Sequence, residues 1–247
     1  MQIYLLELEH SMEQEVKIEK MITVKGLTKT YGKGEAAARA LRDVSFTINK
    51  GEMVSITGPS GCGKTTLLHI LAGIESSDNG EVWIGDAPIH TWDDKKIAKL
   101  RLARMGFVFQ SYHLVPVLNA WENTALPLIA SGVLADKAKA RALAALKEVG
   151  LADKANQYPG ALSGGQNQRV AIARAIVGKP DYIWADEPTG ALDTDTAEQI
   201  IGMLEMLNRH YGTTVVIVTH DPRIADRTSR TIRLYNGRVI HDGGSSL

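Results

Sequence analysis

Residues Gly58-Pro59-Ser60-Gly61-Cys62-Gly63-Lys64-Thr65 have the types and the spacing that hold a phosphate. Glycines carry no Cβ to keep backbone N–H groups away from an anion, and a helix that starts here adds partial positive charge at the same point. Lys64 would reach the β- and γ-phosphates, and Thr65, followed by Thr66, would offer its hydroxyl to Mg2+. The chemistry implied is the binding of a nucleoside triphosphate. Two further groups could act on such a ligand. Asp186 and Glu187 are adjacent carboxylates ending the apolar run Tyr182-Ile183-Trp184-Ala185, one suited to hold Mg2+ and the other to orient or deprotonate a water. Standing alone, the same two acids would read as caps of the next segment. Ser163-Gly164-Gly165 precedes a helical run over 167–177, which makes a hydroxyl and bare N–H groups a second anion site at a helix start.

The elements around these residues must aim them at one another. Met53-Val54-Ser55-Ile56-Thr57 is a β-branched run that predicts a buried strand feeding the phosphate loop, and residues 65–73 have helical length with a glycine stop. Before them, residues 21–57 read as short strands, with a turn at Gly32-Lys33-Gly34 and alternation over 41–48. Strands are expected at 81–84 and 106–109, then a region of Ala- and Leu-rich helical spacing from about Asn119 to the stop at Gly150. Beyond it the pattern predicts a helix over 163–177, a strand over 181–186, a helix over 194–210 and a strand over 214–219. A hairpin closes the chain around Asn236-Gly237. Strands alternating with helices imply a parallel sheet covered on both faces, whose strand ends gather the ligand.

Composition narrows the partners. At 247 residues the chain suffices for one large α/β domain or a core with an insert, and its single cysteine, Cys62, forms no internal disulfide, which suits a reducing cytosol. Lys plus Arg equals Asp plus Glu at 28 each, so no global basic field recruits nucleic acid, and none is expected as a partner. No stretch approaches the ~18 apolar residues of a membrane span. Residues 1–20 carry Glu7, Glu9, Glu13, Glu15 and Glu19 where a signal peptide would be basic and then apolar. They read as an extension before the domain: a frayed end, an upstream start codon in frame, or a membrane-surface helix.

Leu162-Ser163-Gly164-Gly165-Gln166 resembles the signature of ATP-binding-cassette ATPases. The order is also the family's: phosphate loop, Gln110 after an apolar strand, this signature, Asp186-Glu187, Ala191-Leu192-Asp193 and His220 at a strand end. The resemblance spans residues 22–242. It implies an α/β P-loop NTPase with a mainly parallel core sheet, an antiparallel β subdomain and a helical subdomain inserted at about 111–165. The domain would run over 21–242, with a tail at 243–247. It further implies an ATPase whose cofactors are ATP and Mg2+. Glu187 would be the catalytic base, His220 the γ-phosphate contact and Gln110 a sensor of metal and water; Thr65, Gln110 and Asp186 would stand on the metal. ATP would touch Tyr31, Gly58, Pro59, Ser60, Gly61, Cys62, Gly63, Lys64, Thr65 and Thr66. A partner's ATP would meet Ser163, Gly164, Gly165, Gln166 and Asp193, so that two identical or related chains close head to tail around two ATPs. Outside that set, Tyr31 reads equally as a half-buried strand tyrosine, and His220-Asp221-Pro222 as a turn that starts a helix.

Gln110-Ser111-Tyr112-His113-Leu114-Val115-Pro116, Glu122-Asn123 and Leu126-Pro127-Leu128 are similar to the branch that includes macrolide-export, lipoprotein-release and bacitracin-resistance ATPases, with the cell-division ATPase close by. In that branch a separate transmembrane permease inserts a short helix beside this stretch. Leu114, Val115, Leu118 and Trp121 would face it, or else form the core of the helical insert. Asn119, Trp121, Asn167 and the bulky Trp184 depart from the usual pattern. The resemblance implies a cytoplasmic chain, peripheral on the inner membrane face through its permease. The alternative is an ATP-gated structural or signalling module that moves no solute; a soluble cassette acting on ribosomes or DNA would carry tandem cassettes or a coiled-coil insert. Cys62, near Lys64 and a helix start, reads as a reactive thiol that ATP would protect from alkylation, or as a small residue that fits the loop.

Overall fold

Strands and helices succeed one another along the chain in a computed structural model that describes residues 20–244. In chain order they are β1 (Lys20–Tyr31), β2 (Ala38–Asn49), β3 (Met53–Thr57), α1 (Lys64–Leu71), β4 (Asn79–Ile84), β5 (Ala87–Pro88), α2 (Asp94–Arg104) and β6 (Met105–Phe109). There follow α3 (Ala120–Ala130), α4 (Ala135–Glu148), α5 (Gly164–Ile176), β7 (Tyr182–Asp186), α6 (Thr194–Tyr211), β8 (Thr214–Val218), α7 (Pro222–Ala225), β9 (Arg230–Tyr235) and β10 (Arg238–Gly243). The extension read at 1–20 lies, apart from Lys20, outside the described residues, as do residues 245–247 of the tail.

Two sheets result. A four-stranded antiparallel sheet has the order β2-β1-β4-β5, and a six-stranded sheet has the order β10-β9-β3-β8-β7-β6. In the second, β9, β3, β8, β7 and β6 run parallel, and β10 returns antiparallel at the edge. The period of two along each strand divides the side chains between two cores. Ile183, Ala185, Val215 and Ile217 face the cluster built with α3, α4, α5 and α6, while Tyr182, Trp184, Val216 and Val218 face the one built with α1 and the antiparallel sheet. The second face is therefore covered largely by β structure, not by the second helical layer that simple alternation implies. Trp184 fits this strand because that side is deep: it is fully buried and stacks on Tyr182 with ring centroids 6.1 Å apart.

Helix boundaries follow their caps. Asn119, unusual by pattern, is the N-cap of α3: its side chain accepts from the Glu122 N–H at 3.0 Å, and the Glu122 carboxylate accepts from the Asn119 N–H at 2.8 Å. The helical region expected over 119–149 consists of two helices, parted at Gly132, where φ is 80°. Helix α2 escaped the periodicity reading because it buries no residue and so carries no apolar stripe; Asp93 caps it by accepting from Lys96.

Candidate active site

Parallel register brings the chemical groups to one edge. Ile56 of β3 lies opposite Val218 of β8, Val218 opposite Asp186 of β7, and Asp186 opposite Phe109 of β6. The residues that leave these strands, the phosphate loop, His220, Glu187 and Gln110, therefore emerge side by side at the strand C-terminal ends.

The phosphate loop needs its glycines. Gly58 and Gly63 have φ of 146° and 104°, and a Cβ would sit 2.2 Å from the Leu234 carbonyl oxygen at the first and 2.3 Å from that of Ala40 at the second. The β9–β10 hairpin braces the loop from below, with the Gly237 N–H donating to the Cys62 carbonyl at 3.1 Å. The buried Lys64 ammonium donates to the carbonyls of Gly58 at 2.8 Å and Pro59 at 3.1 Å, acceptors that phosphate oxygens would replace with stronger charge-assisted bonds. The Cys62 side chain is turned from the loop into the core, where it is buried.

Beside it, the Thr65 hydroxyl donates to Asp186 Oδ1 at 3.2 Å. Burial raises the Asp186 pKa, partly offset by the Thr65 hydrogen bond and by nearby His69 and Lys64. A hydroxyl and a desolvated carboxylate are hard oxygen donors of the kind that, with substrate phosphates, hold Mg2+. Glu187 stands in the left-handed region at φ 47°, with its N–H bonded to the Val218 carbonyl at 2.9 Å, a strained backbone of the sort that persists where function requires it. Its Oε1 lies 2.9 Å from Nδ1 of the exposed His220. Gln110 packs on Gly190, where a Cβ would come within 2.8 Å of its Nε2. The pairs Thr65–Asp186 and Glu187–His220 thus stand at one edge of the sheet, with Gln110 at the end of the neighbouring strand.

Tyr31 stands on the flank of the loop, 41% exposed, its hydroxyl donating to Glu75 Oε2 at 2.7 Å and lying 3.3 Å from Thr66 Oγ1. The Lys29 ammonium is 3.1 Å from Glu75 and 5.4 Å from the Tyr31 ring centroid, so the ring is held by its hydroxyl and carries a cation over one face.

The remaining candidates form a separate surface at the starts of α5 and α6. Ser163 accepts from the Gln166 N–H at 3.3 Å while Gln166 Oε1 accepts from the Ser163 N–H at 2.9 Å; this capping box occupies the Gln166 side chain. Asp193 caps α6, and its bonds from the Thr196 N–H and hydroxyl hold its pKa below the usual carboxylate value. The two starts touch: a Cβ at Gly165 would lie 2.4 Å from Thr196 Cγ2. Asn167, another departure from pattern, donates to the carbonyls of Pro159 and Leu162 and so fixes the loop that presents Ser163.

A groove of about 700 Å³ opens between α2, β6 and α3, lined among others by Phe107, Phe109, His113, Leu126, Pro127 and Arg174. Of the residues read as partner-facing or as core of the helical insert, Leu114 and Trp121 are half-buried and pack against the core, whereas Val115 is exposed, as is Val117 beside it. Sequence reasoning missed three positioning side chains. Gln168, fully buried on α5, donates to the Pro188 carbonyl next to Glu187. Glu75 anchors Tyr31. Arg174 supports the loop after Gln110; as a lone cation within Val170-Ala171-Ile172-Ala173-Arg174-Ala175-Ile176, it was visible as an anomaly.

Residues 41–190 match the ABC transporter family. The chain is 46% identical over 223 residues to the uncharacterized ABC transporter ATP-binding protein MJ0796 of Methanocaldococcus jannaschii, covering 89% of this chain and 95% of that one. It is 44% identical over 221 residues to the uncharacterized ABC transporter ATP-binding protein YbbA of Escherichia coli K12 (90% and 97% covered). It is 43% identical over 222 residues to the lipoprotein-releasing system ATP-binding protein LolD of Geobacter metallireducens (90% and 99% covered). Its fold superposes with a TM-score of 0.85, at 43% identity, on a dimeric post-hydrolysis state of the MJ0796 cassette bound to ADP and Pi, covering 92% of this chain and 100% of that one.

Proposed function

This chain belongs to the ABC transporter family as an ATP-hydrolysing, ATP-binding subunit, and from that premise we propose how its residues divide the work. The observation that carries the reading is the separation of two anion cradles in one chain: the phosphate loop at the strand ends, and Ser163-Gly164-Gly165 at the start of α5. Two copies arranged head to tail would place each second cradle against the other's ATP, a pairing supported by the existence of a dimeric, ADP- and Pi-bound state of the similar cassette.

In this reading Lys64 leaves its loop carbonyls for the β- and γ-phosphates, and Tyr31 stacks on the base. Thr65 and Asp186 would hold Mg2+, with Gln110 on the neighbouring strand end, and the ion would supply charge neutralisation of the phosphates. Glu187 parts from His220 and takes a proton from the attacking water. The water oxygen bonds to the γ-phosphorus, and the bond to the β,γ-bridging oxygen breaks with its electron pair on ADP. His220, released, contacts the γ-phosphate. Loss of that phosphate removes the contact from Ser163-Gly164-Gly165 and Asp193 of the other copy, and the pair reopens.

The groove beside Phe109 and Pro127 is the seat we assign to a helix of a separate transmembrane permease, since it is apolar, open and continuous with the loop after Gln110. Among the described residues no helix is long and apolar enough to cross a membrane, so membrane attachment would come through that permease at the inner face. The branch of export and lipoprotein release is the one we favour, given the likeness to LolD. Sedimentation of the Glu187→Gln chain tests the division of work: ATP should shift it from one copy to two. A chain that binds ATP and stays single would overturn the shared-site reading.

A further inference from the structure

The loop leaving β6 holds two consecutive non-glycine residues in the left-handed region, Tyr112 at φ 60° and His113 at φ 46°. Such a pair stays in place only where its surroundings over-determine it. Arg174, near the end of α5, is what holds it: Nη1 donates to the His113 carbonyl at 2.5 Å and Nη2 to the Tyr112 carbonyl at 2.7 Å. Burial draws its pKa below the ordinary guanidinium value, and the planar fork satisfies two acceptors at once, which an ammonium does less well. The Tyr112 ring meanwhile reaches the other end of the same helix, where its hydroxyl lies 2.8 Å from the position of a Gly164 Cβ. The loop is therefore bonded to α5 through Arg174 at the groove wall, where His113 also stands, and packs on the start of the same helix, next to Ser163, through the Tyr112 hydroxyl.

We propose that Arg174 is a positioning residue that makes the 112–113 loop and the Ser163-Gly164-Gly165 cradle one rigid body, so that whatever seats in the groove moves the cradle with it. The identity of the seated body rests on the permease reading given above; the clamp is a property of this chain alone. Loosening it should misplace the cradle offered to a second copy without touching the phosphate loop that binds the chain's own ATP.

The test compares the full chain with Arg174→Met and Arg174→Lys by amide hydrogen exchange and by ATP hydrolysis. Arg174→Met should speed exchange by roughly tenfold at both 111–115 and 163–167. It should lower kcat by about tenfold with KM for ATP held within ~2-fold, and Arg174→Lys should recover part of each loss. Faster exchange confined to 111–115, an unchanged kcat, kcat and KM moving together, or a Lys variant no better than Met would overturn the proposal. Should Arg174→Met fail to fold, Tyr112→Ala tests the clamp from its other end: exchange at 163–167 should rise and kcat fall at constant KM, and unchanged exchange there would refute it. Because these readouts use the chain without a permease, a permease that ignored the groove would overturn the partner reading and leave the clamp standing.

Discussion

The phosphate loop and the Ser163 cradle meet an anion with the same chemistry, a helix start with bare N–H groups, yet they are held in different ways. The first hangs from β3 inside a parallel sheet, with β9 and β10 beneath it and Gly58 and Gly63 pressed against neighbouring carbonyls. The second stands on α5, held by side chains: a capping box, Asn167, Thr196 and, along the helix, Tyr112 and Arg174. A cradle fixed by backbone ladders keeps its shape whatever happens outside. A cradle fixed by side chains can be repositioned by whatever moves those side chains, which is what a subunit must do if a partner is to control when its site closes.

Four substitutions probe that contrast. Glu187→Gln removes the base and leaves both cradles, so turnover should fall by about 10³-fold with ATP still bound, measured by phosphate release alongside nucleotide retention. Lys64→Ala strikes the backbone-held cradle directly; ATP affinity should drop by roughly 100-fold in a binding titration, the loss of a charge-assisted pair of contacts. Gly165→Val pushes a side chain into Thr196, and the contrast requires kcat to fall by at least ~10-fold while the ATP dissociation constant stays put. A matching loss of affinity would mean that the two cradles are not independent. Tyr31→Ala should have the smallest effect, raising KM for ATP by only a few fold, about the value of one aromatic stack, with kcat retained.

What was legible in the sequence tracks the same division. The phosphate loop, the strand before it and the acids after Ala185 are contiguous in sequence and built on strict periodicities, and the structure sets them where those patterns put them. Asn119, Asn167 and Trp184 read as departures because their partners, Glu122, the Pro159 and Leu162 carbonyls, and Tyr182, become apparent only once the local fold or sheet depth is known. Helical spacing marked the region 119–149 but not the point at which Gly132 divides it into two helices. Arg174 and Gln168 act across 62 and 20 residues of sequence, and no local pattern announces such contacts. Leu114, in the loop, and Trp121, on α3, read equally as partner-facing or as core; both are half-buried and pack against the core.

We propose that the described residues bring one half of each of two shared sites. Phosphate release per chain, followed as the protein is diluted over about a hundredfold at saturating ATP, tests it most directly, since a shared site makes activity depend on chain concentration. Turnover per chain should fall steadily with dilution. A constant turnover per chain across the series would contradict the account, because it would mean that a single copy already holds everything hydrolysis requires.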